Sequence, residues 1–408
     1  MATTMKPGNS QTTQDTSTTA TFATLISSRS STPSTPKPAP TPDEDVHVAV
    51  EDASAVIKDA AAVAEDVPTE AENIPEAIAA DEAAGFSDYD DSASEASSTQ
   101  SLTSSTLDHV YANGRRYHRR SADENNQYLM PSDETEMDRL DMMHHMALLL
   151  LDGELHKAPI TDDPPRVLDC GTGTGIWALD FGSIHPASHV VGVDLAPNQP
   201  SWTYPNVQFE TDDLEKTWTF KKNHFNFIHS RMVGTAIKDW GRYTQQMFDH
   251  LAPNGYIELS EHSIKYAYCD DSSVPSSSIL LTHGELLASA IEKTGVRPRD
   301  LCPSFFHTHL AAAGFTDIQV YTYKVPCGPW PKSKRFKYIG AVCAEGIKTG
   351  LEAYGMLAMT RLLGMQEEVV REMCEKCYRT IMEGREHPYY FQWQIVARKP
   401  DVGEVSLA

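Results

Sequence analysis

The 408-residue chain carries 57 acidic and 34 basic side chains, a formal charge of −23, and has room for one large domain or two modest ones. Residues 1–107 hold 18 acids against 4 bases, and the remainder still holds 39 against 30, a poor electrostatic match for a phosphate backbone that argues against general nucleic-acid binding. Seven scattered cysteines read as reduced thiols, and no stretch has the make-up of a leader peptide or a bilayer span, so the expectation is an intracellular protein of the nucleus or cytoplasm.

Residues 1–107 form a Ser/Thr/Pro-rich, then Ala/Glu/Asp-rich, then Ser-rich tail. Its apolar content is too low to offset the entropy of ordering the backbone, and the expectation is disorder. The folded part spans 108–400. It opens with a basic, aromatic leading segment, Val110 to Arg120, and a helix beginning at Pro131, with Asp133 and Glu136 at capping-box spacing. Leu140, Met143, Ala147, Leu148 and Leu151 give that helix an apolar stripe. These elements make up 108–165.

A core over 166–330 follows. Strands are expected at Val167–Asp169, Val190–Asp194, Val207–Phe209, Phe225–His229, Tyr256–Glu261 and Thr316–Val325. Helices are expected at Thr174–His185, Tyr243–Leu251, Leu280–Lys293 and Phe305–Ala313. Strands separated by helices of this length make βαβ units and a parallel sheet. Residues 331–386 read as two or three helices capping the sheet edge, before a last strand in 387–400 from Tyr389 to Arg398.

The chemistry concentrates in Arg166-Val-Leu-Asp-Cys-Gly-Thr-Gly-Thr-Gly-Ile-Trp177. An apolar strand runs into Gly171, Gly173 and Gly175, which allow positive φ and close backbone approach to a ligand. The helix N-terminus beyond them offers free N–H groups. A second strand ends on Asp194, where a carboxylate can accept hydrogen bonds from both ribose hydroxyls. Asp212, Asp213 and Leu214, after the third strand, offer a carboxylate and a backbone N–H to an adenine. A dinucleotide fingerprint would need glycine at 176, and Ile176 breaks it. Asp169 ahead of the glycines instead suits a cationic sulfonium.

The motif resembles that of class I S-adenosylmethionine (SAM)-dependent methyltransferases. Further phrases resemble the LaeA-like fungal methyltransferases: Tyr111-x-Asn-Gly-Arg-Arg-Tyr-His118, Pro131-x-Asp-Glu-x-Glu-x-Asp-Arg-Leu-Asp141, Val193-Asp-Leu-Ala-Pro197, His229-Ser-Arg231 with Asp239-Trp240, and Val396-Ala-Arg-Lys-Pro400. The resemblance implies an α/β, Rossmann-like seven-stranded sheet with its last strand antiparallel, and SAM as cofactor. For the founding members it also implies a nuclear role in secondary metabolism and development alongside velvet-type partner proteins. Cys170 departs from the pattern, where a larger aliphatic residue is expected.

The expected cofactor contacts are Asp169, Gly171, Thr172, Gly173, Gly175, Asp194, Leu195, Asp212, Asp213, Leu214 and Ser230. His229 and Arg231 leave the fourth strand at the cofactor edge; either they orient or deprotonate the acceptor, or the segment packs beneath the pocket. His262, beyond the fifth strand, is a weaker candidate for the same work. Aromatic closure over the sulfonium is weighed for Tyr111, Tyr117, Tyr128, Trp330, Phe336 and Tyr338. Arg115, Arg116, Arg119 and Arg120 read as a nuclear-import patch or as structural residues. No metal is expected: Cys374 and Cys377 lack a partner pair, and Pro186 breaks the helix that would align His185 with His189. Three functions stay open: a LaeA-like regulator, a biosynthetic enzyme acting on a small metabolite, and a SAM-binding subunit without catalysis.

Overall fold

The computed structural model describes residues 109–118, 129–401 and 403. The tail, Arg119, Arg120 and Tyr128 lie outside the described residues. The leading segment forms a hairpin, β1 (His109–Ala112) and β2 (Arg115–His118). Asn113 and Gly114 turn it with φ of 50° and 75°, the Asn-Gly signature of a two-residue hairpin loop. Arg115 forks onto Asp133 at 2.6 and 2.7 Å, and Arg116 binds the Ser132 carbonyl and Glu134. These two arginines therefore join the hairpin to the start of α1 (Glu134–Leu150), which supports the structural reading of that basic segment. Asp133 caps α1 by accepting from the Glu136 N–H. The reciprocal half of a capping box is absent, because the Glu136 carboxylate turns instead to Arg139.

The main sheet comprises β3 (Arg166–Cys170), β4 (His189–Asp194), β5 (Val207–Thr211), β6 (Phe225–Arg231), β7 (Leu251–His262), β8 (Thr316–Pro326) and β9 (Tyr389–Arg398). Their spatial order is β5-β4-β3-β6-β7-β9-β8. β9 runs antiparallel between β7 and β8, and the remaining pairings are parallel. From β3 the chain winds outward through β4 and β5, then returns to β6 on the other flank. That reversal opens a crevice at the carboxyl ends of β3 and β6, where ligands bind in open α/β sheets.

One face is covered by α2 (Ile176–Ile184), with Trp177 and Phe181 packed on Val167, Val190 and Phe227. The other is covered by α3 (Trp240–His250) and α5 (Pro303–Ala313), through Trp240, Tyr243, Met247, Phe306 and Leu310. A third cluster builds the cap from α1, α4 (Ile279–Glu292), α6 (Lys334–Leu357) and α7 (Glu367–Met382). The cap thus recruits α1 and α4 in addition to the expected helices of 331–386. A π-helical turn, Ala358–Leu362, ends α6. Gly340 lets α6 approach the chain closely, since a Cβ there would stand 2.1 Å from the Gly328 carbonyl oxygen.

Several boundaries move by a few residues, two of them for reasons the local chain explains. α2 starts at Ile176 rather than Thr174, because the glycine loop stays in a turn up to Gly175, its left-handed N-cap. β7 starts at Leu251 rather than Tyr256: Pro253-Asn-Gly255 has turn composition, yet the strand passes through it with a register shift against β6. Cys374 and Cys377 are buried in the cap on α7, and all seven cysteines are free thiols. Among the described residues no helix is long and apolar enough to cross a membrane.

Glu258 on β7 ties the segment before β3 to the sheet, its Oε2 accepting from the N–H groups of Lys157 and Ala158 at 2.7 and 2.8 Å. Its other oxygen, Oε1, is buried without a partner. Burial pushes this carboxyl up to about 7, against the two N–H bonds that favour the anion. A folded pKa above the unfolded one means the folded state binds the proton more tightly, so stability falls as pH rises from about 4.5 to about 7. Glu258→Gln should remove that share, about 2–3 kcal/mol. Denaturant unfolding from pH 5 to 8 checks it: the wild type should lose stability across the range and the variant lose less.

Candidate cofactor and acceptor site

Gly171, Gly173 and Gly175 all adopt positive φ, 71°, 59° and 83°. At Gly171 a Cβ would also meet Val233 Cγ1 at 2.6 Å, and at Gly175 the Phe209 ring at 2.4 Å. The loop is therefore closed to side chains for conformational and steric reasons together. Beneath it lies a buried polar bridge. Asp169 accepts from the Thr172 hydroxyl at 2.6 Å and is bonded to His229 Nδ1 at 2.7 Å. The His229 ring stacks on Trp177 at 3.8 Å with planes 5° apart. From α1, Asp141 takes the Thr174 hydroxyl at 2.6 Å, and His144 bridges Arg231 (3.1 Å) to Asp180 (2.9 Å). Burial, ahead of the neighbouring Arg231 charge, pushes His144 down to about 4 and leaves it a neutral link.

The crevice above the loop is a cavity of about 130 Å³. Of the expected contacts, Gly171, Gly173, Asp194, Leu195, Asp212, Asp213 and Leu214 line it, and Arg231 joins them. Asp194 is anchored at the carboxyl end of β4 by the N–H groups of Gly173 (2.9 Å) and Ala196 (3.1 Å). Burial nevertheless raises its pKa to about 6. The loop after β6 completes the wall with Val233, Thr235 and Ile237. Its turn is fixed by the buried Glu261 carboxylate, which accepts from the Val233 and Gly234 N–H groups at 2.8 and 3.1 Å. Burial pushes Glu261 up to about 8. The wall carries five carboxylates (Glu136, Asp194, Asp212, Asp213, Glu215) against three basic groups (Arg139, Arg231, Lys238), a net negative lining that suits a cationic ligand.

Four expected contacts, and with them the catalytic candidate His229, do not face this cavity. Asp169, Thr172 and His229 are spent on the bridge under the loop, and Gly175 serves as the N-cap of α2. Ser230 is fully buried and bonded to the Tyr243 hydroxyl at 3.0 Å, away from the crevice. His229 is 1% exposed and bonded to Asp169, which favours the reading in which this segment packs beneath the pocket. Strand alternation explains the pattern: successive side chains leave β6 on opposite faces, and the spacing alone does not say which face meets the ligand.

The proposed aromatic closures are also elsewhere. Tyr111 is exposed, Tyr117 is buried in the cap core, Trp330 stacks on His387, Phe336 is exposed, and Tyr338 meets His145. Tyr354 of α6 is the aromatic that reaches the cavity, with the Arg139 guanidinium 5.4 Å from its ring centre. Nothing in the sequence marks it. Glu136 and Arg139 did carry a signal, an i,i+3 acid–base pair inside one of the quoted phrases, and they form a buried ion pair at 2.6 and 2.9 Å.

A second cavity, of about 110 Å³, opens beyond the first and shares Arg139, Met232 and Tyr354 with it. Met143, Ile264, Leu287, Ile347, Leu351 and Gly350 make its wall largely apolar. Met232, at the junction, holds φ of 58°, a strained setting for a residue of its size. Among the described residues no group of three metal-ligating side chains is assembled.

The residues present fit SAM. The positive-φ cradle excludes Cβ atoms, a carboxylate ends β4, and the surplus of acids surrounds the place a sulfonium would take. Ribose hydroxyls would donate to Asp194 in its ionised form, so affinity should rise as pH passes upward through about 6. Asp194→Asn should weaken S-adenosylhomocysteine by about 10- to 100-fold and abolish that pH dependence. Calorimetry at pH 5, 6 and 7 measures both effects. A second expectation concerns the bridge: His229→Ala should lower thermal stability and weaken S-adenosylhomocysteine through loss of the Asp169 anchor, whereas an unchanged melting temperature and affinity would refute the positioning role.

A family model described as a methyltransferase domain matches residues 142–320. The chain is 39% identical over 307 residues to methyltransferase pytC of Aspergillus terreus, covering 74% of this chain and 92% of that one. It is 34% identical to the secondary metabolism regulator LAE1 of Cochliobolus heterostrophus, over 71% of this chain and 94% of the relative. With the secondary metabolism regulator laeA of Aspergillus fumigatus it shares 30% identity, over 71% and 76%. A glycine cradle before an acid-tipped strand and these likenesses over more than two thirds of the chain agree: the chain belongs to the LaeA-like family of SAM-dependent methyltransferases.

Proposed function

We propose that this SAM-dependent methyltransferase acts on a small, largely apolar molecule. The observation that carries the reading is the second cavity, which meets the cofactor cavity at Arg139, Met232 and Tyr354 and lies beneath the cap. An apolar, largely pre-formed cavity of this kind suits a small ligand. A protein side chain would instead need an open groove leading to the transfer point.

SAM supplies a methyl carbon already activated by its sulfonium. Asp194 would hold the ribose, Asp212 and the Leu214 N–H the adenine, the Gly171–Gly173 backbone and Arg231 the amino-acid end. The remaining work of the chain is to exclude water and align the acceptor. Tyr354 and Met232 stand where the two cavities join and would set that alignment. Gln199, donating to the Gly173 carbonyl at 2.7 Å, steadies the cradle from the far side.

A second reading, regulation of secondary metabolism, is favoured by relatives named as regulators at 30–34% identity. Nuclear residence and velvet-type partners belong to that reading.

The test is methyl transfer from radiolabelled SAM, with label followed separately into organic extract and protein. On the small-molecule reading, label enters an extractable product of the producing cells' own extract. Gly350→Leu should abolish that label, because a Cβ at Gly350 stands 3.5 Å from Arg139 Cδ and a longer side chain fills the cavity. Affinity for S-adenosylhomocysteine, measured alongside, separates a filled acceptor cavity from a disturbed cofactor cavity, since Arg139 lines both. Label confined to protein, and indifferent to Gly350→Leu, would favour the regulator.

A further inference from the structure

His262 ends β7 at the carboxyl edge of the sheet and lines the acceptor cavity beside Met232. Its Nδ1 stands 3.3 Å from the Ser263 carbonyl oxygen. A carbonyl can only accept, so in the neutral ring Nδ1 carries the proton and Nε2 presents a lone pair. No hydrogen bond ties Nε2 to another group among the described residues. Edge-to-face packing on Tyr390, with ring centres 5.8 Å apart, fixes the plane of the imidazole.

Most other polar groups on the wall are already engaged. Tyr390 gives its hydroxyl to Met146 Sδ at 3.3 Å, and Ser263 donates to the Lys265 carbonyl while accepting from the Phe391 N–H. Tyr266 and His283 are bonded to each other at 2.9 Å, and Arg139 forks onto Glu136. The cavity wall contains no carboxylate to balance an ammonium, and its one cation is already paired. A charged acceptor of either sign would therefore be desolvated without a counter-charge. What remains is a neutral acceptor that releases a proton as it reacts.

We propose that His262 is the general base of the transfer and that the acceptor is a phenolic or enolic hydroxyl on an apolar ring system. The proposal rests on the small-molecule reading above. As the hydroxyl oxygen's lone pair forms the new O–C bond, the methyl–sulfur bond breaks and its electron pair stays on sulfur. The hydroxyl proton passes to His262 Nε2 and from there to solvent. The titratable groups facing the same cavity are Arg139 from α1, Tyr266 from the loop after β7, His283 from α4, Cys343 and Tyr354 from α6, and Tyr390 from β9. Burial, and beyond it the Arg139 charge, holds the His262 pKa below its ordinary value against the pull of the Ser263 carbonyl, so the ring is an unprotonated base at neutral pH.

The experiment uses full-length protein, ¹⁵N-labelled at histidine and saturated with S-adenosylhomocysteine, titrated with 2-naphthol and, in parallel, 2-methoxynaphthalene. The naphthol should move the Nε2 resonance of His262, and the ether should bind without moving it. His262→Asn keeps a donor for the Ser263 carbonyl but loses the base; it should bind the naphthol about tenfold more weakly and the ether unchanged. An Nε2 resonance unmoved by bound naphthol overturns the base assignment without reference to any variant. Naphthol and ether binding alike to wild type and His262→Asn does the same. Failure of both rings to bind at millimolar concentration, with S-adenosylhomocysteine in place, overturns the small-molecule reading itself.

Discussion

The bridge from Thr172 through Asp169 to His229 is the contact on which the site depends. A loop with three left-handed glycines has no intrinsic preference for one shape, because glycine loses the most freedom on ordering. Asp169 removes that freedom from below. It is 2% exposed, takes a hydroxyl from the loop and an imidazole from β6, and so couples the loop to two adjacent strands. A buried carboxylate is tolerable only when its oxygens are satisfied, and here each has a partner. Trp177, stacked on His229, extends the bridge into α2. The loop, the sheet and the helix after it therefore stand or fall together.

The same economy recurs one strand further on. Glu261 does for the loop after β6 what Asp169 does for the loop after β3: a buried carboxylate takes the N–H groups of a turn that has no regular partners. The two anchored loops face each other across the cofactor cavity. α1 supplies the third wall through Glu136, Arg139 and Leu140, and Asp141 and His144 tie it to the neighbouring elements. His229, which reads as a candidate catalyst in sequence, is consumed in building this frame. The chemistry is left to groups at its rim.

The cap shapes the second cavity. The apolar faces of α6 and α4, with α1, leave a cavity that continues from the cofactor crevice and is shared with His262 at the end of β7. Its lining comes from widely separated parts of the chain: Met143 from α1, Met232 after β6, His262 at the end of β7, Leu287 from α4, Leu351 and Tyr354 from α6, Tyr390 from β9. The sheet is the part of the fold that holds the methyl donor. On the proposed reading, selection of the acceptor belongs to the helices added around it.

By itself the sequence determined the sheet, its order of elements and the cofactor edge. Those features are local: an apolar strand, glycines at alternate positions and an acid at the end of the next strand are neighbours along the chain and remain neighbours in space. Asp194 and Asp212–Leu214 were legible for that reason, and β9 was legible to the residue because its apolar run has sharp ends. Tertiary structure alone decided the facing of side chains on β3 and β6, where a period of two leaves the choice between ligand and core to the packing on either side. It turned Asp169, His229 and Ser230 inward and left Arg231 at the crevice. It also brought Tyr354 and His262 to one cavity across more than 90 positions of chain, an encounter no spacing encodes, because it depends on how α6 packs against α1 and β8.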